Sequence, residues 1–304
     1  MKNVNERYPR KLRILCKLAD LSPQGFYQNN KKEVREKFSE ELIIQEVICY
    51  RSIHKRVGVR KLLPQVQSFA MNIGYKIGRD ALFELLESHN LLIRNRRKNG
   101  PITTFSKHRF KKYPNIIRDV VPTMPIQIWV SDITYIELGI RNYAYLSLIT
   151  DMYSRKIVGF CLHKNLSSVG PLKALKMAIK STGKDKLQSL IHHSDRGVQY
   201  CCNEYVNELM QNGIRISMTI NGDPLENPIA ERVNGIIKNE YELTFENVFK
   251  TLENKITEAI FHYNNYRQHL SVDNLTPSVA HQMNGFIKRQ WKTNYKNINS
   301  SNEA

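Results

Sequence analysis

No apolar run in this 304-residue chain reaches the roughly 18 residues that a membrane-spanning helix needs. The opening Met1-Lys2-Asn3 is not followed by the apolar core of a secretion signal. Neither a basic amphipathic anchor nor a lipidation signal is evident. The expectation is therefore a cytoplasmic, nucleoid-associated protein with no membrane contact. Cysteine is scarce: the five thiols, Cys16, Cys49, Cys161, Cys201 and Cys202, are too few and too irregular for a disulfide framework. Cys201-Cys202 is not a C-x-x-C redox pair. Cys49, His54 and His89 do not make a zinc-finger ligand set. No internal repeat, low-complexity tract or sustained heptad pattern is present, which argues against a solenoid or a long coiled coil.

Acid is the other shortage. The chain has 28 Asp and Glu against 46 Lys and Arg, a formal charge of +18. Residues 1–120 hold 26 basic and 11 acidic side chains, 26 − 11 = +15, and residues 121–304 hold 20 and 17, 20 − 17 = +3. A basic N-terminal part points to a polyanion, most simply nucleic acid; a solubilising surface is the plainer alternative.

The pattern divides the chain into four stretches. Residues 1–98 read as a basic helical DNA-binding region. Leu12, Leu15, Leu18 and Ala19 form a helical stripe, and Ser22-Pro23 offers a cap and a first-turn proline for the next helix. This pair could be a DNA-reading helix-turn-helix or an ordinary two-helix corner. Further helices are expected over 39–50, over 59–69 with a kink or break at Pro64, and over 77–92. The last ends in Arg94, Arg96, Arg97 and Lys98, which could contact phosphates or form a solvated helix end. Residues 99–123, with Pro101, Pro114 and Pro122, read as a basic linker. Residues 124–285 change period. Strands are expected over 126–136, 143–150, 156–162, 190–193 and 214–218, and helices over 171–181, 204–211 and from Pro228 onward. That order predicts an α/β mixed sheet with flanking helices. Residues 286–304 read as a polar tail.

Three acids organise the second half. Asp132 lies within the first expected strand, in Trp129-Val130-Ser131-Asp132-Ile133-Thr134-Tyr135. Asp195 lies just past the end of another, in His193-Ser194-Asp195-Arg196-Gly197-Val198-Gln199-Tyr200. Glu231 lies in the first turns of the helix capped by Asn227. A carboxylate in a packed strand is costly unless it binds something, and ends of strands are where ligands collect in α/β sheets. Three carboxylates from separate elements can hold two divalent cations about 3.5–4 Å apart, an arrangement that makes a phosphodiester attackable. Lys238 follows Glu231 by seven residues, about 700° of helix, so both share one face and the lysine can hold a substrate phosphate. Each residue alone has an ordinary reading: a turn or cap for the aspartates, a solvated surface for Glu231 and Lys238. Gln199 and Tyr200 could meet DNA or pack beneath the site. His192 and His193 could orient substrate or be satisfied by neighbours. Trp129, Tyr263 and Tyr266 read as core.

These motifs resemble a bacterial insertion-sequence transposase of the second-reading-frame type, whose catalytic core is similar to that of retroviral integrases. The resemblance rests on Trp129-x-x-Asp132-x-Thr134-Tyr135, on His193-Ser194-Asp195-x-Gly197-x-Gln199-Tyr200, and on Asn227-x-x-x-Glu231 with Lys238-x-Glu240. The last two acids have 35 residues between them (231 − 195 − 1). A closing segment, Tyr263-Asn264-x-x-Arg267-x-His269-x-Ser271 with Leu275-Thr276-Pro277, matches as well. Pro228 and Gln268 depart from the common pattern without touching an acid. The resemblance implies an RNase H-like fold preceded by a small all-α, helix-turn-helix-like region. It implies catalytic and metal-binding roles for Asp132, Asp195 and Glu231, with Mg²⁺ or Mn²⁺, two ions, as cofactor. It also implies DNA cleavage and strand transfer at element ends, with element ends and target DNA as partners, a homo-oligomer in the DNA complex, and an upstream-frame protein or fusion as a further partner. A nuclease that only hydrolyses nucleic acid, and an inactive DNA-binding remnant, are the rival readings.

Overall fold

The computed structural model describes residues 12–93, 108–118, 120–139, 142–220, 226–243 and 248–288. The chain forms two compact units, one of Met1–Ser52 with Val57–Arg94, the other of Ile53–Arg56 with Asn95–Ala304.

The first unit is helical. Helix α1 (Leu12–Leu18) turns through Asp20, whose φ of 52° is left-handed, into α2 (Pro23–Ile53). Ser22 caps α2, its Oγ accepting from Gly25 N at 2.9 Å. Helices expected separately on either side of residues 31–38 run together as this one 31-residue helix. Few apolar residues mark residues 28–37, but no glycine or proline breaks them, and charged pairs at i, i+4 such as Lys32–Glu36 span them. Helix α3 (Val59–Asn72) continues through Pro64 without the expected break. Its buried face of Val59, Leu62, Val66 and Ala70 offsets the one hydrogen bond that proline forfeits. Helix α4 (Arg79–Ser88) is shorter than its apolar pattern, which runs on into non-helical Leu91 and Leu92.

The second unit is built on five strands: β1 (Ile128–Glu137), β2 (Tyr143–Asp151), β3 (Ile157–His163), β4 (Ile191–Ser194) and β5 (Arg215–Met218). Their order is β3-β2-β1-β4-β5. The first three pair antiparallel; β4 and β5 run parallel to β1. Helices α5 (Val169–Thr182), α6 (Val198–Cys201) and α7 (Asn203–Gln211) contribute to one core, where Trp129, Ile133 and Ile149 meet Ala174, Ala178 and Leu209. Helices α8 (Pro228–Glu240) and α9 (Phe249–Asn265) cover a second, where Ile136, Leu146 and Leu148 meet Val233, Ile237 and Ile256. A short α10 (Pro277–Ala280) follows, capped by Thr276. Burial on both faces explains why β-branched and aromatic residues fill β1 and β2. Gly159 on β3 is required by this layering: a Cβ there would lie 2.2 Å from the Ala174 carbonyl oxygen of α5. The expected mixed sheet with flanking helices is thus present, and its strand order is that of an RNase H-like fold.

Among the described residues no helix is long and apolar enough to cross a membrane. All five cysteines are free thiols.

Candidate active site

The parallel pairing of β4 with β1 brings two of the acids to one side of the sheet. Trp129 and Val130 pair with His192 and His193, so Asp132 and Asp195 stand just beyond the shared register. Glu231 enters from α8. Pro228 opens that helix, and its fixed φ suits a first helical position. Asn227 precedes it but does not cap through its side chain; its Nδ2 donates instead to the Ser131 carbonyl at 3.0 Å. The start of α8 is thereby tied to β1 one residue before Asp132.

Asp132 is half-buried. Its Oδ1 accepts from the Ile133 N–H at 2.9 Å and its Oδ2 from Asn234 Nδ2 at 2.8 Å. Burial, reinforced by the negative charges of Asp195 and Glu231, pushes its carboxyl up to about 7, against the pull of those two donors. Asp132 therefore senses both other acids. Asp195 is also half-buried and accepts from the Gly197 N–H at 2.9 Å, an Asx-type turn. A Cβ on Gly197 would come within 3.0 Å of Asp195 Oδ1 and 2.9 Å of Gln199 Oε1, so a side chain there would displace one or both of these groups. Glu231 is exposed.

Among the described residues no three His, Cys, Asp or Glu side chains form a ready-made metal cluster. The fit of the three acids to a cation lies in their chemistry: all donors are carboxylate oxygens, which suit a hard ion. The mutual repulsion felt at Asp132 is what such an ion relieves.

Lys238 lies half-buried on α8 with its Nζ 3.4 Å from the centroid of the Tyr135 ring. Gln199 is only 7% exposed, and its Nε2 donates to the Leu166 carbonyl at 3.3 Å, a placement that serves packing beneath the acids. Tyr200 is buried with its hydroxyl accepting from Ser131 Oγ at 3.0 Å. Arg94, Arg96, Arg97 and Lys98 lie outside the described residues.

His193 is satisfied internally, and His192 only at Nε2, since its Nδ1 is buried without a hydrogen-bond partner. His192 Nε2 accepts from the Tyr205 hydroxyl at 2.9 Å; His193 meets Ser217 Oγ at 2.9 Å and the Glu226 carbonyl at 3.2 Å. Burial holds them neutral, pulling His192 down to about 3 and His193 to about 4. Trp129 and Tyr263 are fully buried, as expected of core residues. Tyr266 is not: it is 56% exposed at the end of α9, because the helix stops at Asn265 and turns its ring outward.

Asn234 is the site residue that sequence reasoning missed. Asn227, Glu231, Asn234 and Lys238 recur at intervals of 4, 3 and 4, the spacing of one helical face. That polar seam was available as a signal, but an isolated asparagine within it carries no chemistry of its own to draw notice.

Two integrase core domain families match the chain, one over residues 122–224 and the other over 212–277. The chain is 30% identical over 270 residues to the insertion element IS600 uncharacterized 31 kDa protein of Shigella sonnei, covering 87% of this chain and 96% of that protein. It is 26% identical over 233 residues to the transposase for insertion sequence element IS629 of Shigella sonnei, covering 74% and 75%. Among solved structures, the catalytic core domain of HTLV-2 integrase aligns with a TM-score of 0.41 at 20% identity, over 53% of this chain and 99% of that one.

Proposed function

Because this chain belongs to the insertion-sequence transposases with an integrase-like core, we propose that Asp132, Asp195 and Glu231 are its catalytic triad. The enzyme is a DNA transposase of the polynucleotidyl-transferase class. In this reading the triad works by holding two divalent cations, Mg²⁺ or Mn²⁺, at the phosphodiester of an element end. When bound, such ions activate an attacking oxygen and stabilise the leaving 3′ oxygen. The observation that carries the reading is the pairing of β1 with β4, which stands Asp132 and Asp195 just beyond the shared register, with the start of the helix that bears Glu231 tied to β1 one residue before Asp132.

The chain's own residues supply position. Gly197 holds Asp195, and the seam of α8 holds the third acid alongside β1. Lys238, on the same face as Glu231, contributes positive charge for a backbone phosphate. The basic run Arg94, Arg96, Arg97 and Lys98 extends that phosphate contact outside the core. The N-terminal region through residue 98 grips element ends, residues 99–123 follow the backbone as a linker, and residues 124–285 carry the chemistry. Two ends must be processed together, which calls for at least two copies in the DNA complex; an upstream-frame segment is a further partner. The setting is cytoplasmic, at the nucleoid.

Labelled element-end DNA incubated with a target plasmid tests the reading. Joined products are expected with Mg²⁺ or Mn²⁺. Asp132→Asn, Asp195→Asn and Glu231→Gln should each abolish them while leaving DNA binding intact. Nicked products without joining would make the protein a hydrolytic nuclease; wild-type joining by the three variants would remove the triad from the chemistry.

A further inference from the structure

Helix α8 and strand β1 are fastened by three polar contacts on one helical seam. Asn227 Nδ2 donates to the Ser131 carbonyl at 3.0 Å, Asn234 Nδ2 donates to Asp132 Oδ2 at 2.8 Å, and Lys238 Nζ stands 3.4 Å from the Tyr135 ring centroid. The middle contact alone reaches an acid of the site. The other hydrogen bond on Asp132 comes from the N–H of its own neighbour, Ile133, and so cannot set the carboxylate relative to α8. Among the described residues, Asn234 supplies the hydrogen bond that reaches the Asp132 carboxylate from another element.

Asn234 is 5% exposed, and its Oδ1 is buried without a hydrogen-bond partner. An orphaned buried oxygen is costly, and leucine would fill the same space without that cost. The amide is thus poorly explained by packing. Its chemistry explains it better. Lysine at this position would hold Asp132 but also cancel the negative charge that a cation needs. Aspartate would repel it. A neutral amide donor fixes the carboxylate while leaving its charge for a ligand.

We propose that Asn234 is the positioning residue of this site, orienting the Asp132 carboxylate for a shared divalent cation without neutralising it. The proposal rests on the reading of the three acids as cation ligands.

The test is a Mn²⁺ titration of the full chain, read as the rise in melting temperature without DNA and, separately, as the Mn²⁺ concentration for half-maximal joining. Asn234→Leu should fold as well as the wild type in chelator and bind element-end DNA equally. It should need at least about tenfold more Mn²⁺ for the same thermal rise and for half-maximal joining, with the joining rate partly restored at saturating metal. Asn234→Ala gives the same comparison should the leucine variant melt early. Wild-type Mn²⁺ dependence in a folded variant would overturn the positioning role. A wild-type protein with no thermal response to Mn²⁺ would overturn the underlying reading instead, and the proposal with it.

Discussion

Lys238 places its Nζ 3.4 Å from the centre of the Tyr135 ring, three residues along β1 from Asp132. A lysine on a mobile stem is a diffuse phosphate contact; an aromatic face under its ammonium restricts where the charge can go. Such a contact contributes about 0.5–2 kcal/mol, more as water is excluded. It is the face of the ring that makes the contact.

The expectation for Lys238→Ala follows from counterion release. Loss of one phosphate contact should weaken binding to any DNA and reduce the slope of log K against log salt by about 1. Tyr135→Phe, which keeps the ring face, should keep the wild-type salt slope, and Tyr135→Leu should fall between the two. Fluorescence anisotropy across a salt series measures both quantities. An unchanged slope in Lys238→Ala would show that this charge never meets a phosphate.

The raised carboxyl of Asp132 has a consequence for stability. An unfolded aspartate titrates near about 3.9, and the folded one near 7. The folded state therefore holds the proton more tightly. The stability that this proton contributes is complete below about pH 4 and is lost as pH rises through 7. In chelator, the wild type should be less stable at pH 8 than at pH 5 on this account, by about 1–4 kcal/mol. Asp132→Asn removes the titration. It should raise the melting temperature at pH 8, with a gain that shrinks toward pH 5, and Mg²⁺ should narrow the difference at pH 8 by binding the ionised form. Thermal melts of both proteins at the two pH values, with chelator and with Mg²⁺, check the sign. Equal melting of the two proteins at pH 8 in chelator would contradict the charge environment assigned to Asp132.

The parts of this molecule that were legible in its sequence are those where one signal dominates. The two longest strands stand out because Ile128–Glu137 and Tyr143–Asp151 are short runs rich in β-branched and aromatic residues, as burial on both faces requires. The acids stand out because carboxylates in or beside apolar strands need a reason. The continuity of α2 was hidden, since residues 28–37 are polar and a solvated helix has no apolar period to read. Pro64 misled in the opposite direction, because its local cost is visible in sequence while the packing that offsets it is not. For Gln199 the Asp195 motif leaves two readings open, contact with DNA or packing beneath the site, and its side chain here bonds the Leu166 carbonyl. Nothing in the one-dimensional pattern records which way a short helix such as Val198–Cys201 faces.

The closing segment also acquires a physical role. Arg267 binds Glu240 through two hydrogen bonds, Nε to Oε2 at 2.8 Å and an outer guanidinium nitrogen to Oε1 at 3.1 Å. The two side chains are 3% and 11% exposed. Glu240 is the last residue of α8, so this pair anchors the far end of the helix that carries Glu231 at its start. Tyr263 and Asn264 fasten the same segment to the β2–β3 turn, the tyrosine hydroxyl donating to the Arg155 carbonyl at 2.9 Å and the asparagine amide bonding both N–H and carbonyl of Ile157 at 3.0 Å. A buried ion pair of this kind is destabilising to break but not to replace. Arg267→Met alone removes both guanidinium hydrogen bonds from the buried carboxylate and should cost about 3–5 kcal/mol in urea unfolding. Combining it with Glu240→Leu should recover most of that loss. The double variant then separates anchoring from chemistry. If the pair only braces α8, joining should return with stability; if joining stays low in a protein as stable as the wild type, the charge pair itself sets the pitch at which Glu231 meets Asp132.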